Sequence, residues 1–311
     1  MKLITFITPG KNATPGIWLN EDYVLDIQAA ARSMLGAENS SLLNKFSSLL
    51  SIIQGGKETY DLLKEINEKA QSDALAPALV ASTEVKLLAP IPQPAKNVFC
   101  VGRNYVEHVK EGYATRGEAV ELPEHPTFFS KAPSSVIGPD APILMHNSVT
   151  QELDYEVELG VILGQQIRNA PKDEAMNSVF GYTIINDVSA RDLQRRHGQW
   201  FKGKSLDGTC PIGPWIVTAD EIEDPANLQI ELSVNGESRQ SASTSQLIFD
   251  LPTIISTLSA GMTLHAGDII ATGTPSGCGF ALTPPKFLQA GDVVTCTIQS
   301  IGTLTNTVAA S

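Results

Sequence analysis

The stretch LDYEVELGVILG, from Leu153 to Gly164, constrains the fold more than any other part of the chain. A run this apolar normally reads as a buried strand, yet Asp154, Glu156 and Glu158 stand at every second position. Residues two apart in a strand share a face, so Glu156 and Glu158 point one way while Tyr155, Val157 and Leu159 point the other. Adjacent carboxylates in an apolar setting repel. One must take up a proton, or a cation must sit between them. The competing reading is a strand with one solvated face, the usual origin of charged alternation.

Two further features bear on that choice. The continuation GVILG suggests a buried strand end, and a third acid, Asp187, closes another strong strand pattern, GYTIIND. Three carboxylates without a cysteine partner suit a hard divalent cation, Mg²⁺ or Mn²⁺, with Ca²⁺ also admissible. Zinc more often brings histidine or cysteine ligands.

A chain of 311 residues, 42% hydrophobic, can bury one large core or two. Its formal net charge is −12, and no Lys/Arg run suggests a nucleic-acid surface or a juxtamembrane cluster. An acidic protein then binds an acidic ligand only through local cations or a metal. The four cysteines, Cys100, Cys210, Cys278 and Cys296, form no C-x-x-C pair and read as reduced thiols. Pro9 and Gly10 interrupt the first apolar stretch, so no signal peptide is expected, no membrane span is evident, and the cytoplasm is the expected location.

Residues 1 to about 30 read as short strands, KLITFI, GIWL and YVLDI, with turns between them. SLLNKFSSLLSII and ETYDLLKEINEKAQ carry helical spacing, separated at Gly55-Gly56. The proline-rich stretch APIPQPAKN, Ala89 to Asn97, is the candidate linker. The expected division is a small N-terminal domain, 1–90, and a larger C-terminal domain, 91–311. Beyond the linker the pattern is β-rich: NVFCVG, FGYTIIND, GPWIVTAD, LQIELSVNGE, DIIATGT and DVVTCTI, with Asn235-Gly236 as a hairpin turn and DLPTIISTLSAG as a helix. The strands do not alternate with long helices, so the expected class is α+β and β-rich, not a doubly wound sheet.

In VGRNYVEHVKE, His108 and Glu111 are three apart and meet if the segment is a helix. A carboxylate bonded to imidazole orients it and raises its basicity, as a general base requires; the plainer reading is a surface pair. Lys204 in GKSLDGTCP either reaches a carboxylate or enolate oxygen or is simply solvated. Tyr105 either donates a phenolic hydrogen bond or packs. ATGTPSGCGF lacks the ending of a phosphate loop; its glycines are read as letting backbone amides approach a small acid, with Thr274 as a hydroxyl donor. Cys278 is read as structural, because no motif sets a histidine beside it. GYATRGEAVELPEHP is either a lid or a plain surface loop.

Six ordered motifs, VGRNYVEHVKE, LDYEVELG, GYTIINDVSARDLQ, GKSLDGTCPIGP, ATGTPSGCGF and PPKFLQAGDVV, together resemble the fumarylacetoacetate hydrolase family, in its branch of acylpyruvate-type hydrolases and oxo-acid decarboxylases. The resemblance runs from Leu88 to the C-terminus. It implies a mixed β-sandwich or β-roll of that family's type, usually a homodimer. It places the metal triad on Glu156, Glu158 and Asp187, the catalytic lysine on Lys204, the water-activating pair on His108 and Glu111, and substrate contacts on or near Arg103, Lys131 and Gln194. Glu107 stands where many relatives have aspartate, and Asp154 varies in the family; neither is added to the triad.

The resemblance implies a metal-dependent hydrolase that binds a 2-oxo acid and stabilises a pyruvate enolate. His108–Glu111 would activate the water that cleaves the C3–C4 bond of a 2,4-dioxo acid such as an acylpyruvate, fumarylpyruvate or fumarylacetoacetate. Oxaloacetate decarboxylation uses the same metal and lysine without the water, and a hydratase or isomerase of 2-oxo acids belongs to the same range. A non-catalytic metal-binding scaffold is the alternative of another class. Against it, none of the implied site residues is substituted.

Overall fold

Burial with a period of two runs through the middle of the molecule. The computed structural model describes residues 1–36, 38–115 and 117–310. In it the strand Val157–Leu163 is buried along its whole length. Leu159, Val161 and Leu163 enter one apolar core, and Ile162 enters another. Its neighbour Val179–Asn186 divides in the same way, with Ile184 in the first core and Ile185 in the second. A strand covered on both faces is apolar almost throughout, which accounts for the run GVILG.

Val157–Leu163 lies antiparallel to Val179–Asn186, with Leu159 opposite Ile184, and on its other edge to Ile269–Ala271. Ile269–Ala271 runs parallel to Val98–Gly102, which pairs with Thr127–Lys131. A second sheet is ordered Glu237–Ser243, Gln229–Val234, Val293–Ile298, Gly302–Ala309, Ile143–Leu144. Its Leu232, Val294, Cys296 and Leu304 share a core with Leu159, Val161 and Ile184. Each such aliphatic side chain contributes about 1.5–3 kcal/mol on burial. Helices flank these layers, so the chain has the expected β-rich α+β architecture. Asn235 and Gly236 turn the hairpin with φ of 53° and 78°, as a two-residue turn of this hand requires.

The N-terminal strands Lys2–Ile7, Thr14–Trp18 and Tyr23–Asp26 form a meander. Lys2–Ile7 also pairs with Cys210–Thr218, Leu3 opposite Ile216, and so extends the large sheet. Leu63 and Ile66 of the helix Gly56–Glu68 pack in the core that holds Ile162 and Ile212. The helical pattern across residues 41–53 is split into Ser40–Asn44 and Leu49–Gln54. Ser48 lies between them, and its hydroxyl accepts the Ser51 N–H at 3.0 Å, capping the second piece. Among the described residues no helix is long and apolar enough to cross a membrane.

Candidate active site

The expected strand across 153–164 is interrupted. Leu153–Asp154 pairs with Ser189–Ala190, and Tyr155 and Glu156 lie between it and the strand that begins at Val157. Glu156 is held from its backbone instead: its N–H donates to Asn186 Oδ1 at 3.1 Å, and its carbonyl accepts the Asp187 N–H at 2.8 Å. These bonds bring Glu156 and Asp187 together beside Glu158. One oxygen from each of the three carboxylates lies within 4.8 Å of the others, and all three residues are buried.

The surrounding charges are unequal. Lys204 Nζ donates to Glu156 Oε2 at 2.7 Å and to Asp187 Oδ2 at 2.6 Å. Arg191 Nη1 lies 2.6 Å from Glu156 Oε1, and Arg191 Nε donates to Asp154 Oδ2 at 2.9 Å. Lys131 Nζ stands 2.8 Å from Asp187 Oδ1 and donates to the Val188 carbonyl at 3.0 Å. Four buried acids thus meet three buried cations. Burial alone would raise Glu156, but Lys204 and Arg191 outweigh it and hold its carboxyl well below the usual range. Burial, with the charges of Asp187 and Glu156 added, pushes Glu158 well above that range. Glu158 receives one backbone hydrogen bond, from Gly273 N at 2.7 Å, and Asp187 Oδ1 has no aligned hydrogen-bond donor. Glu158, a buried acid with no ion-pair partner among the described residues, fits a divalent cation held with Glu156 and Asp187, and the all-oxygen donor set suits Mg²⁺ or Mn²⁺.

The predicted histidine pair is present. His108 and Glu111 lie on the helix Val106–Ala114, with Nδ1 2.8 Å from Glu111 Oε1. A neutral imidazole with its proton on Nδ1 leaves Nε2 as the acceptor. Glu111 Oε2 in turn accepts the N–H of Gly277 at 2.8 Å.

The glycine loop differs from expectation. Its amides hold acids of the chain itself: Gly273 holds Glu158, Gly277 holds Glu111, and Gly279 N donates to Asp154 Oδ1 at 2.8 Å. They are therefore not free for a small acidic ligand. The approach is close enough to need glycine. A Cβ on Gly279 would lie 2.0 Å from the Lys286 carbonyl oxygen. Thr274 Oγ1 accepts from Gln240 Nε2 at 2.8 Å.

A cavity of about 270 Å³ opens over these groups, lined by His108, Glu156, Glu158, Lys204, Arg103 and Trp200 among others. Gln194 and Thr274 also line it, as do Gly112, Tyr113 and Thr115 at the start of the expected lid segment, whose Arg116 lies outside the described residues. Arg103 places its guanidinium 5.7 Å from the centre of the Trp200 ring. Two expected substrate contacts are not among the residues that line the cavity. Lys131 is fully buried behind Asp187, because its ammonium is drawn to that carboxylate. Tyr105 is buried too, and its hydroxyl has no hydrogen-bond partner among the described residues. Glu107 is solvent-exposed and pairs with Lys110 at 2.7 Å, away from the triad. Arg191 and Trp200 are cavity residues that periodicity did not single out. The polar run that follows GYTIIND was the available signal for Arg191.

A sequence model of the fumarylacetoacetate (FAA) hydrolase C-terminal domain matches residues 97–309. The chain belongs to the fumarylacetoacetate hydrolase family. Over 293 residues it is 45% identical to the oxaloacetate tautomerase YisK of Bacillus subtilis, covering 94% of each protein. The solved structure of a fumarylacetoacetate hydrolase (EaFAH) from psychrophilic Exiguobacterium antarcticum superposes with a TM-score of 0.80 at 42% identity, over 100% of both chains. Maleylpyruvate hydrolase from Sphingobium sp. SYK-6, solved with manganese(II) and pyruvate, gives a TM-score of 0.73 at 29% identity, again over 100% of both. Members of this family are enzymes, with tautomerase, hydrolase and isomerase names among the relatives.

Proposed function

We propose that this chain is a divalent-metal-dependent enzyme that moves a proton at the carbon beside the 2-oxo group of a small 2-oxo acid, with oxaloacetate keto–enol tautomerisation as its reaction. The observation that carries the proposal is the carboxylate-held imidazole of His108, which lines the same cavity as the acid cluster. In the keto-to-enol direction, Nε2 takes a proton from C3 and the proton is returned to the 2-oxygen. No atom is gained or lost. Glu111 fixes the tautomer and stabilises the imidazolium that forms. A divalent cation held by Glu156, Glu158 and Asp187 would supply Lewis-acid stabilisation of negative charge on a 2-oxo acid. Lys204 keeps Glu156 ionised and, by its hydrogen bonds, holds Glu156 and Asp187 in place, and Arg103 adds positive charge at the cavity wall. The full-length similarity to a protein named oxaloacetate tautomerase supports this choice of reaction.

Cleavage of a 2,4-dioxo acid is the second reading. It is favoured by the likeness to a maleylpyruvate hydrolase and by the complete His–Glu pair, which would activate water by the same base chemistry. Oxaloacetate decarboxylation is the third outcome of one assay. Metal-free protein is reloaded with Mg²⁺ or Mn²⁺ and offered enolic oxaloacetate, with ultraviolet loss of the enol and pyruvate release followed together, and acetylpyruvate in parallel. Enol loss without pyruvate supports the tautomerase. Pyruvate from acetylpyruvate supports the hydrolase, and pyruvate from oxaloacetate above a metal-only blank supports the decarboxylase. His108→Ala is expected to slow either base-dependent reaction about 10²–10⁴-fold; an unchanged rate would remove the general base. The proposal includes a homodimer and a division near residue 90. Light scattering that shows a monomer at micromolar concentration would overturn the first, and limited proteolysis that spares the Ala89–Asn97 stretch would count against the second.

A further inference from the structure

Beside the hard-cation triad lies a second group of donors with different chemistry. One ligand atom from each of His108, Glu156 and Cys278 lies within 4.8 Å of the others. Cys278 Sγ is 3.8 Å from His108 Nδ1, so the fold brings the histidine that no sequence motif had set beside this cysteine. Its thiol is fully buried. Gln240 Nε2 is also 3.8 Å from the sulfur.

We propose that Cys278, His108 and Glu156 form a second metal site, selective for a soft or borderline divalent cation such as Zn²⁺. Zinc takes sulfur at about 2.3 Å and imidazole nitrogen at about 2.0–2.1 Å, which at a tetrahedral angle separates the two donors by about 3.6 Å. The sulfur and nitrogen already stand 3.8 Å apart. Thiolate and imidazole select zinc-like ions, whereas Mg²⁺ prefers the all-oxygen triad next door. A metal deprotonates a coordinating thiol outright, so burial of Cys278 is no obstacle once the ion is in place. Arg191 and Lys204 oppose a dication here; the Cys278 thiolate, Glu156 and Glu111 offset them.

Coordination through Nδ1 replaces the hydrogen bond that Glu111 now makes. Zinc bound here therefore separates His108 from Glu111 and occupies Glu156. If the proposed proton-transfer role holds, the site is inhibitory. That consequence rests on the proposed function; the site itself does not.

The test uses Co²⁺ as a spectroscopic probe on the full-length, metal-free protein. The expected result is a near-ultraviolet thiolate-to-cobalt charge-transfer band that saturates as Co²⁺ is added and is displaced by Zn²⁺. Both Cys278→Ser and Cys278→Val should abolish it, Cys296→Ser should leave it intact, and His108→Asn should weaken Co²⁺ binding at least about tenfold. Circular dichroism confirms that each variant is folded. No thiolate band in the wild type, or a band that survives in either folded Cys278 variant, overturns the proposal. Neither result depends on turnover, so the assignment of the reaction stands or falls separately.

Discussion

The backbone N–H of Gly277 donates to Glu111 Oε2 at 2.8 Å, while Oε1 of the same carboxylate holds His108. The imidazole is thus oriented through Glu111 from a loop 166 residues beyond that carboxylate in sequence. Gly277 has φ of +108°, and a Cβ there would sit 1.9 Å from the Arg239 carbonyl oxygen. Backbone cannot yield that distance. Gly277→Ala is expected to cost about 1–3 kcal/mol in urea unfolding. It should also lower kcat more than KM, because Glu111 loses its anchor while the cavity wall is kept. Unchanged stability and rate would show that the loop does not position the pair.

Asp154 ties the same glycine loop to Arg191. Its carboxylate accepts N–H groups from Tyr155, Gly279, Phe280 and Arg191. Asparagine would turn an NH₂ group toward one of those donors and remove the charge that faces Arg191. Asp154→Asn should therefore destabilise by about 3 kcal/mol or more, as for other broken buried ion pairs. Chemical denaturation measures it. A loss under about 1 kcal/mol would mean that the network relaxes around the change.

What was legible in the sequence follows the range of the interactions. The i, i+3 spacing of His108 and Glu111, the Asn235-Gly236 turn and the two-residue spacing of Glu156 and Glu158 are local, and the structure keeps all three. Glu156 nonetheless lies outside its strand, because its anchors are Asn186 and Asp187. Lys131 could not be placed by pattern, since the carboxylate that draws it inward is 56 residues further along the sequence, at Asp187. The glycine loop was recognised as a close-approach loop, but its amides were assigned to a ligand and not to Glu158, Glu111 and Asp154. Those acids are distant in the chain and adjacent only in the fold.

The unequal charge of the triad separates Glu158 from Glu156. Glu158 has no ion-pair partner among the described residues, whereas Glu156 is paired with Lys204 and Arg191. Glu158→Gln should therefore leave the metal-free protein as stable as wild type or more so, while abolishing the rise in Tm on adding Mn²⁺. For wild type that rise corresponds to about 2.7 kcal/mol at a hundredfold excess over Kd. Glu156→Gln should lower the metal-free Tm, because two buried cations lose their counter-charge. Differential scanning fluorimetry with and without Mn²⁺ checks both. Equal effects of the two substitutions on the metal-free protein would refute the charge imbalance.

Acid stability has a local marker in Asp250, which caps the helix Leu251–Ser259 by accepting the Thr253 N–H at 2.9 Å and the Thr253 hydroxyl. Burial alone would raise its pKa, but the bonds from Thr253 and the nearby Lys172 outweigh it and lower the value. A lowered folded-state pKa means that the unfolded chain binds the proton first, so stability rises with pH. The stabilisation is present above the unfolded aspartate value of about 3.9 and is lost as pH falls through the folded value. Asparagine keeps the capping oxygen and does not titrate. The Tm advantage of wild type over Asp250→Asn should therefore be constant near neutrality and shrink as the pH falls below about 4. A difference that stays flat to the acid limit would show that the carboxylate charge adds nothing to the cap.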